Sequence, residues 1–295
     1  NSYFSYKVTN MITNEQFKNE VQLIIANAVR EDVGDGDHSS LACIPSDAIG
    51  KAKLIIKDNG IIAGISFAKQ VFQYVDPNLK VEILITDGAK VKFGEIAFYV
   101  EGSKQSILKA ERIVLNAMQR MSAIATKTQS YVEILKGTNT KILDTRKTTP
   151  GFRALEKWAV AIGGGVNHRF ALYDMIMLKD NHIDFAGGIT KAISMSKEYL
   201  KKNQLDLQIV VEARDLDEIQ EILNNEGVYR ILIDNFNYTD TQKAIELIGD
   251  QCLTESSGGI DEVTLRHYAE CGVNYISSGA LTHSVSNMDL SLKAV

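Results

Sequence analysis

Cysteine is scarce and unpatterned. Cys43, Cys252 and Cys271 are an odd number with no CxxC or other metal spacing, so neither a disulfide framework nor a zinc cluster is indicated, and reduced thiols are expected. No apolar run approaches the ~20 residues that span a bilayer, and Asn1 to Asn10 lack the charged-then-apolar order of a signal peptide. The expectation is a cytoplasmic protein without membrane contact, in which residues 1–10, upstream of Met11, are a non-native remnant or a loose arm. Positive charge is not in excess: 32 Lys and Arg against 37 Asp and Glu leave a net charge of -5. That excludes a broad nucleic-acid footprint and requires any polyanion to be met by a local cationic pocket. The HExxH metal motif and the GxSxG elbow are both missing, and His168 and His182 stand isolated, so zinc and nucleophilic chemistry have no support.

What is present is a 295-residue chain with 45% apolar and 23% charged residues. That is enough for a core and for two domains, or for one large α/β barrel with an appendage. Phe17, Val21, Leu23, Ile24, Ile25, Ala28 and Val29 recur at helical spacing over 15–30, ahead of the turn-rich stretch 32–37. Strand-like runs at 50–57, 81–86 and 96–101, with a helical pattern at 66–75, predict a small α+β domain. Residues 106–135 read as one long helix with a break expected near 120–122.

Beyond Lys136, short apolar runs at 142–143, 175–178, 207–211, 230–233, 252–253 and 275–276 alternate with helical stretches, the pattern of a parallel sheet. Glu212, Asp234, Ser256 and Ser278 follow one another at intervals of 22 residues, each at a strand end. A βα barrel issues polar groups at one rim in this way and builds its active site there. Only about six such strands fit, so an incomplete or atypical barrel is expected.

Three groups of residues carry chemistry. Between Arg146 and Lys179 lie six Lys and Arg (146, 147, 153, 157, 169, 179) against Glu156 and Asp174, a local charge of +4. Guanidinium forks beside ammonium groups suit carboxylates and phosphates. Ser256-Ser257-Gly258-Gly259, before a helical stretch expected over 261–271, and Ser278-Gly279 read as phosphate loops: glycine admits backbone N–H groups to an anion, and a helix start adds a favourable dipole. Glu212 and Asp234 form a carboxylate pair for Mg²⁺ or for ribose hydroxyls; the competing structural reading is ion pairing with Lys179 or Arg214.

Together, Asp144-Thr-Arg-Lys-Thr-Thr-Pro-Gly-Phe-Arg153, Asn167-His-Arg169, Leu178-Lys-Asp-Asn-His182, Glu255-Ser-Ser-Gly-Gly-Ile260 and Ser278-Gly-Ala-Leu-Thr-His283 resemble the quinolinate phosphoribosyltransferases. So do the segments Arg30-Glu-Asp-Val-Gly-Asp-Gly-Asp37 and Ala110-Glu-Arg-Ile-Val-Leu-Asn116. The resemblance implies an α/β fold: an N-terminal α+β sandwich domain over 1–120, an incomplete seven-stranded α/β barrel over 121–280, and a C-terminal return to the first domain over 281–295. It implies transfer of phosphoribosyl from phosphoribosyl pyrophosphate to quinolinate, with Mg²⁺, yielding nicotinate mononucleotide, pyrophosphate and CO₂. Arg112, Arg146, Lys147, His168, Arg169 and Lys179 would bind quinolinate, with Lys147, Glu212 and Asp234 catalytic and the last two also metal ligands. Ser256, Gly258, Gly259, Ser278 and Gly279 would hold the 5-phosphate, and a homodimer would lend Arg112 to the partner's active site. The rivals are a sister pyrophosphorylase acting on nicotinate, a molybdenum-transport-associated relative, and a silent phospho-ligand sensor.

Overall fold

The computed structural model describes residues 13–295; the reading of residues 1–10 falls outside them. In chain order the elements are α1 (Asn14–Val33), α2 (His38–Cys43), β1 (Ile49–Ile56), β2 (Gly60–Ile61), α3 (Ile65–Val75), β3 (Lys80–Ile83), β4 (Lys90–Val91), β5 (Ile96–Ser103) and α4 (Lys104–Ile134). There follow β6 (Lys141–Leu143), α5 (Arg153–Ile162), β7 (Ile176–Leu178), α6 (Asp180–Ala186), α7 (Ile189–Asn203), β8 (Ile209–Ala213) and α8 (Leu216–Leu223). The chain ends with β9 (Arg230–Asp234), α9 (Tyr238–Ile248), β10 (Leu253–Ser257), α10 (Leu265–Glu270), β11 (Tyr275–Ser277), α11 (Ala280–His283) and β12 (Leu290–Ala294). They fall into two compact units. One takes in the chain up to Gln129, Lys147–Gly164 and Leu281–Val295; the other is Ser130–Arg146 and Gly165–Ala280.

The first unit is built on an antiparallel sheet in the order β12-β1-β5-β3, with β12 entering from the far end of the chain to pair with β1. Helix α1 starts at a capping box, Thr13 with Gln16, and buries Phe17, Val21 and Ile25, one residue per turn. Phe17 meets Trp158 of α5 edge-on, with ring centroids 5.5 Å apart. The break expected near 120–122 does not occur: α4 is continuous. The polar residues at this point have tertiary partners. Ser122 Oγ accepts from the Ala63 N–H (2.9 Å) and donates to the Ala63 carbonyl (3.1 Å), and Arg120 reaches the buried Glu156 at 2.6 Å.

In the second unit six strands form a parallel sheet in the order β6-β11-β10-β9-β8-β7. Pairing of the last strand with the first, Tyr275 to Lys141 through Ser277 to Leu143, is what turns a singly wound sheet into a barrel. On the other side of β6 a single parallel bridge, Leu143 to Val166, stands where a seventh strand would be. Among the described residues Val166 and β7 are not paired, so the barrel is incomplete. Val211, Ile231 and Ile233 face outward onto Ile193, Ile219, Ile222, Ala244 and Ile248 of the helical layer. Strand alternation therefore turns Glu212, Arg230, Asp234, Glu255 and Ser257 inward. The inside of this sheet therefore carries charged groups among apolar ones such as Val210 and Leu232.

Candidate active site

Because the strands are parallel, their C-terminal ends lie on one edge of the sheet, and the expected site residues of the second unit gather there. Arg146 follows β6, Lys179 follows β7, Glu212 is the penultimate residue of β8, and Asp234 ends β9. Gly258 and Gly259 follow β10, and Ser278 and Gly279 follow β11. Arg112 and Lys147 belong to the first unit. Arg112 is exposed on α4.

The cation run divides into exposed and buried members. Arg146 and Lys147 are exposed, whereas Lys157 is fully buried within α5 and forms no part of an open pocket. Glu156, also buried, is spent on the first unit: it accepts from Arg120 and from the Thr149 N–H at 3.1 Å, fixing the loop that follows Lys147. Arg169 is buried and donates to the Met175 carbonyl at 3.0 Å. Burial first, and then the neighbouring charge of Arg146, lower its guanidinium below the usual arginine range, while Asp174 works the other way. Arg146 and Arg169 thus repel one another in the same part of the site, an arrangement that gains when an anion is shared between them.

His168 is not a ligand in open space. Its N–H donates to the buried Asp144 at 2.7 Å, its Nδ1 accepts from the Arg169 N–H at 2.7 Å, and its Nε2 lies 3.1 Å from Glu255 Oε2. With Nδ1 accepting, the ring proton sits on Nε2 and is given to Glu255. Both ring nitrogens are committed. The His168 ring thus bridges the Arg169 backbone and Glu255. Glu255 has no exposed surface, and Arg230 Nε approaches it at 3.1 Å as a charge contact without hydrogen-bond alignment. Burial pushes the Glu255 carboxyl up, but His168, Arg230 and Ser277 more than offset this and bring it down to about 2. His168 and Glu255 stand within motifs legible in the sequence, but their pairing with each other and with Arg230 was not legible there.

The carboxylates of the rim differ from each other. Glu212, 7% exposed, accepts from Lys179 Nζ at 2.6 Å, so the ion pair weighed from the sequence is present; Arg214 pairs instead with Glu218 and Asp184. Among the described residues Asp234 has no Lys or Arg partner of that kind. Its Oδ1 accepts from Ser257 Oγ at 2.5 Å and its Oδ2 from Asn235 Nδ2 at 2.6 Å.

The phosphate loops also need amendment. Ser256 is 1% exposed, its hydroxyl meets no partner, and alternation turns it away from Asp234, so its side chain is not at the rim. The helix expected from 261 begins only at Leu265 and has 6 residues, so its dipole is no argument for an anion here. The backbone remains: Gly258 and Gly259 take φ of 101° and 63°, and the space beside Gly259 is open. Ser278 Oγ donates to the Ile260 carbonyl at 3.3 Å, tying the second loop to the first.

Comparison with known proteins agrees with this architecture. The family model for the N-terminal domain of quinolinate phosphoribosyl transferase matches residues 37–122, and that for its C-terminal domain residues 124–293. A chloroplastic nicotinate-nucleotide pyrophosphorylase (carboxylating) of Oryza sativa is 46% identical over 289 residues, covering 93% of this chain and 77% of that protein. A quinolinate phosphoribosyltransferase (decarboxylating) of Nicotiana tabacum is 44% identical over 92% of this chain and 81% of its own length. The structure of the nicotinate-nucleotide pyrophosphorylase from Francisella tularensis superposes with a TM-score of 0.86 at 35% identity, covering 94% of this chain and 96% of that one. With both domain models matched in order along the chain and relatives of this identity and coverage, the chain belongs to the quinolinate phosphoribosyltransferase family.

Proposed function

We infer that this chain transfers the phosphoribosyl group of phosphoribosyl pyrophosphate to quinolinate with loss of CO₂, and that it does so at the rim just described. The products are nicotinate mononucleotide, pyrophosphate and CO₂, a step in building NAD. The observation that carries the reading is the gathering of Arg146, Arg169 and Lys179, the carboxylates Glu212 and Asp234, and a glycine loop at one sheet edge. Cations there match a dicarboxylate, a backbone loop matches a phosphate, and carboxylates match a sugar carbon that becomes positive.

Departure of pyrophosphate from the anomeric carbon builds positive charge on the ribose, as in glycosidic cleavage, and negative charge on the leaving group. Asp234 and Glu212 stabilise the first, and no protein nucleophile is required. Arg146, Lys147 and Arg169 hold the two quinolinate carboxylates with the ring nitrogen toward the sugar. The carboxylate beside the newly alkylated nitrogen then leaves as CO₂; its electron pair stays on the ring carbon, stabilised by the adjacent cationic nitrogen, and a proton from water completes nicotinate mononucleotide. Lys179 fixes the orientation of Glu212 through its hydrogen bond at 2.6 Å.

Among the described residues no three His, Cys, Asp or Glu side chains converge as a metal cage. Mg²⁺ fits nonetheless, since it is commonly held by one or two carboxylates together with substrate phosphates. Asp234 would hold it, because each of its oxygens retains a lone pair beyond its one hydrogen bond, with Glu212 second. Bound there, the ion would offset charge on the pyrophosphate. The compartment we propose is the cytoplasm, where the unpaired thiols of Cys43, Cys252 and Cys271 would stay reduced. No helix among the described residues is long and apolar enough to cross a membrane. We also place the protein in a homodimer in which Arg112 serves the partner's active site.

Substrate choice is the direct test. A monocarboxylate leaves part of the cation cluster unpaired, and each lost charge-assisted bond is worth roughly 1.5–3 kcal/mol. Quinolinate should therefore exceed nicotinate by about 10-fold or more in kcat/KM, measured as pyrophosphate release; equal use of the two acids rules the reading out. Asp234→Ala should lower kcat about 10²-fold with little change in quinolinate affinity, as expected when electrostatic stabilisation is lost. A near-normal rate would leave Asp234 as a strand-end anchor only. Both results also exclude a silent sensor, which turns nothing over.

A further inference from the structure

We propose that Asn235 and Ser257 are positioning residues for Asp234, and that Asn235 couples this carboxylate to the glycine loop after β10. The inference rests on the reading of Asp234 given above and adds two residues to it.

Asp234 and Ser257 stand opposite each other in the β9–β10 register, both turned inward, and this sets the Ser257 hydroxyl against Oδ1 at 2.5 Å. Asn235 occupies the other oxygen at 2.6 Å. One donor on each oxygen removes the carboxylate's freedom to rotate and leaves the remaining lone pairs pointing in fixed directions. A side chain meant only to fill a strand end needs neither.

The backbone of Asn235 is unusual in the same place. Its φ is 59°; among the described residues only Gln204 and Asn235 take a positive φ without being glycine. Asparagine tolerates this conformation better than most side chains. Here the Asn235 N–H continues the ladder by donating to the Ser257 carbonyl at 2.9 Å, while the amide sits beside the Asp234 carboxylate. The amide also closes the space over Gly258, where a Cβ would lie 2.2 Å from Asn235 Oδ1 and 2.8 Å from its backbone N. One amide thus touches the carboxylate through Nδ2 and fills the space against the loop with Oδ1. A phosphate that shifts the Gly258 backbone shifts Asn235, and with it Asp234.

The test uses Asn235→Gly, which keeps the left-handed backbone and deletes the amide, and Ser257→Ala. Each should lower kcat about 10- to 100-fold, the range of one hydrogen bond to a charged group, with KM for quinolinate within about 2-fold and an unchanged thermal midpoint. The discriminating measurement is the same pair of substitutions in an Asp234→Ala background, where they should have no further effect, since their action runs through that carboxylate. Full-rate Asn235→Gly and Ser257→Ala enzymes beside a slow Asp234→Ala enzyme overturn the proposal and leave the function intact. Undiminished losses in the Asp234→Ala background overturn it as well, because the two residues would then act elsewhere. A fast Asp234→Ala enzyme overturns the reading of Asp234 itself.

Discussion

Glu255→Ala is expected to destabilise the folded protein by about 3–5 kcal/mol, the range for removing one partner of a buried ion pair. The substitution leaves Arg230, 4% exposed at its side chain, without the anion 3.1 Å from its Nε, and leaves the Nε2 proton of His168 without an acceptor. Replacing both Glu255 and Arg230 by leucine should recover the part of the loss that comes from the unpaired Arg230, since a buried pair exchanged for apolar packing is often neutral or stabilising, while the His168 proton stays without its acceptor. The pH dependence has a definite sign. The folded-state pKa is depressed from 4.5 to about 2, so the carboxylate's contribution is complete above about 4.5 and drains away as pH falls toward 2. That gap corresponds to roughly 3 kcal/mol at about 1.4 kcal/mol per pKa unit. Denaturant melts of wild type and Glu255→Gln should converge across this window and be furthest apart at neutral pH. Identical curves at neutral pH would show that the pair contributes nothing to stability.

The charged layer around Glu255 also marks where the sequence stopped being informative. All six strands of the second unit were legible because both faces of a parallel sheet are covered, which makes the outward-facing half of each strand apolar. Their ends were not. β8 runs on through Glu212 to Ala213, and β10 through Glu255 to Ser257, because inward polar side chains interrupt the apolar run without ending the strand. The 22-residue interval selected Ser256, but the interval carries no pleat phase, and register with Asp234 selects Ser257. α2 and the two-residue pair β2–β4 were too short for any period to show. The break expected in α4 near 120–122 is absent, and the polar side chains of Arg120 and Ser122 there answer to Glu156 and Ala63. The cation cluster was visible as composition, yet composition cannot separate exposed Arg146 from buried Lys157.

Arg112→Ala and Lys147→Ala homodimers are each expected to be nearly inactive, and a mixture of the two should regain activity. Arg112 is exposed on α4, a helix that no strand-loop argument brings to the rim of its own sheet, whereas Lys147 follows the first barrel strand. If the quinolinate carboxylates are clamped by Arg146 and Lys147 of one subunit and Arg112 of the other, the two-fold dimer is the catalytic unit and each site draws on both chains. A heterodimer of the two variants then contains one site with an intact helix and an intact barrel, and one site carrying both lesions. Its activity should approach half of wild type per dimer, from parents that have almost none, and no single-chain site can produce that result. Subunit exchange is verified by intact-mass spectrometry on differently tagged variants before rates are read. Exchange without recovered turnover means that Arg112 acts within its own chain or only supports α4, and the cations of one rim must then meet quinolinate unaided.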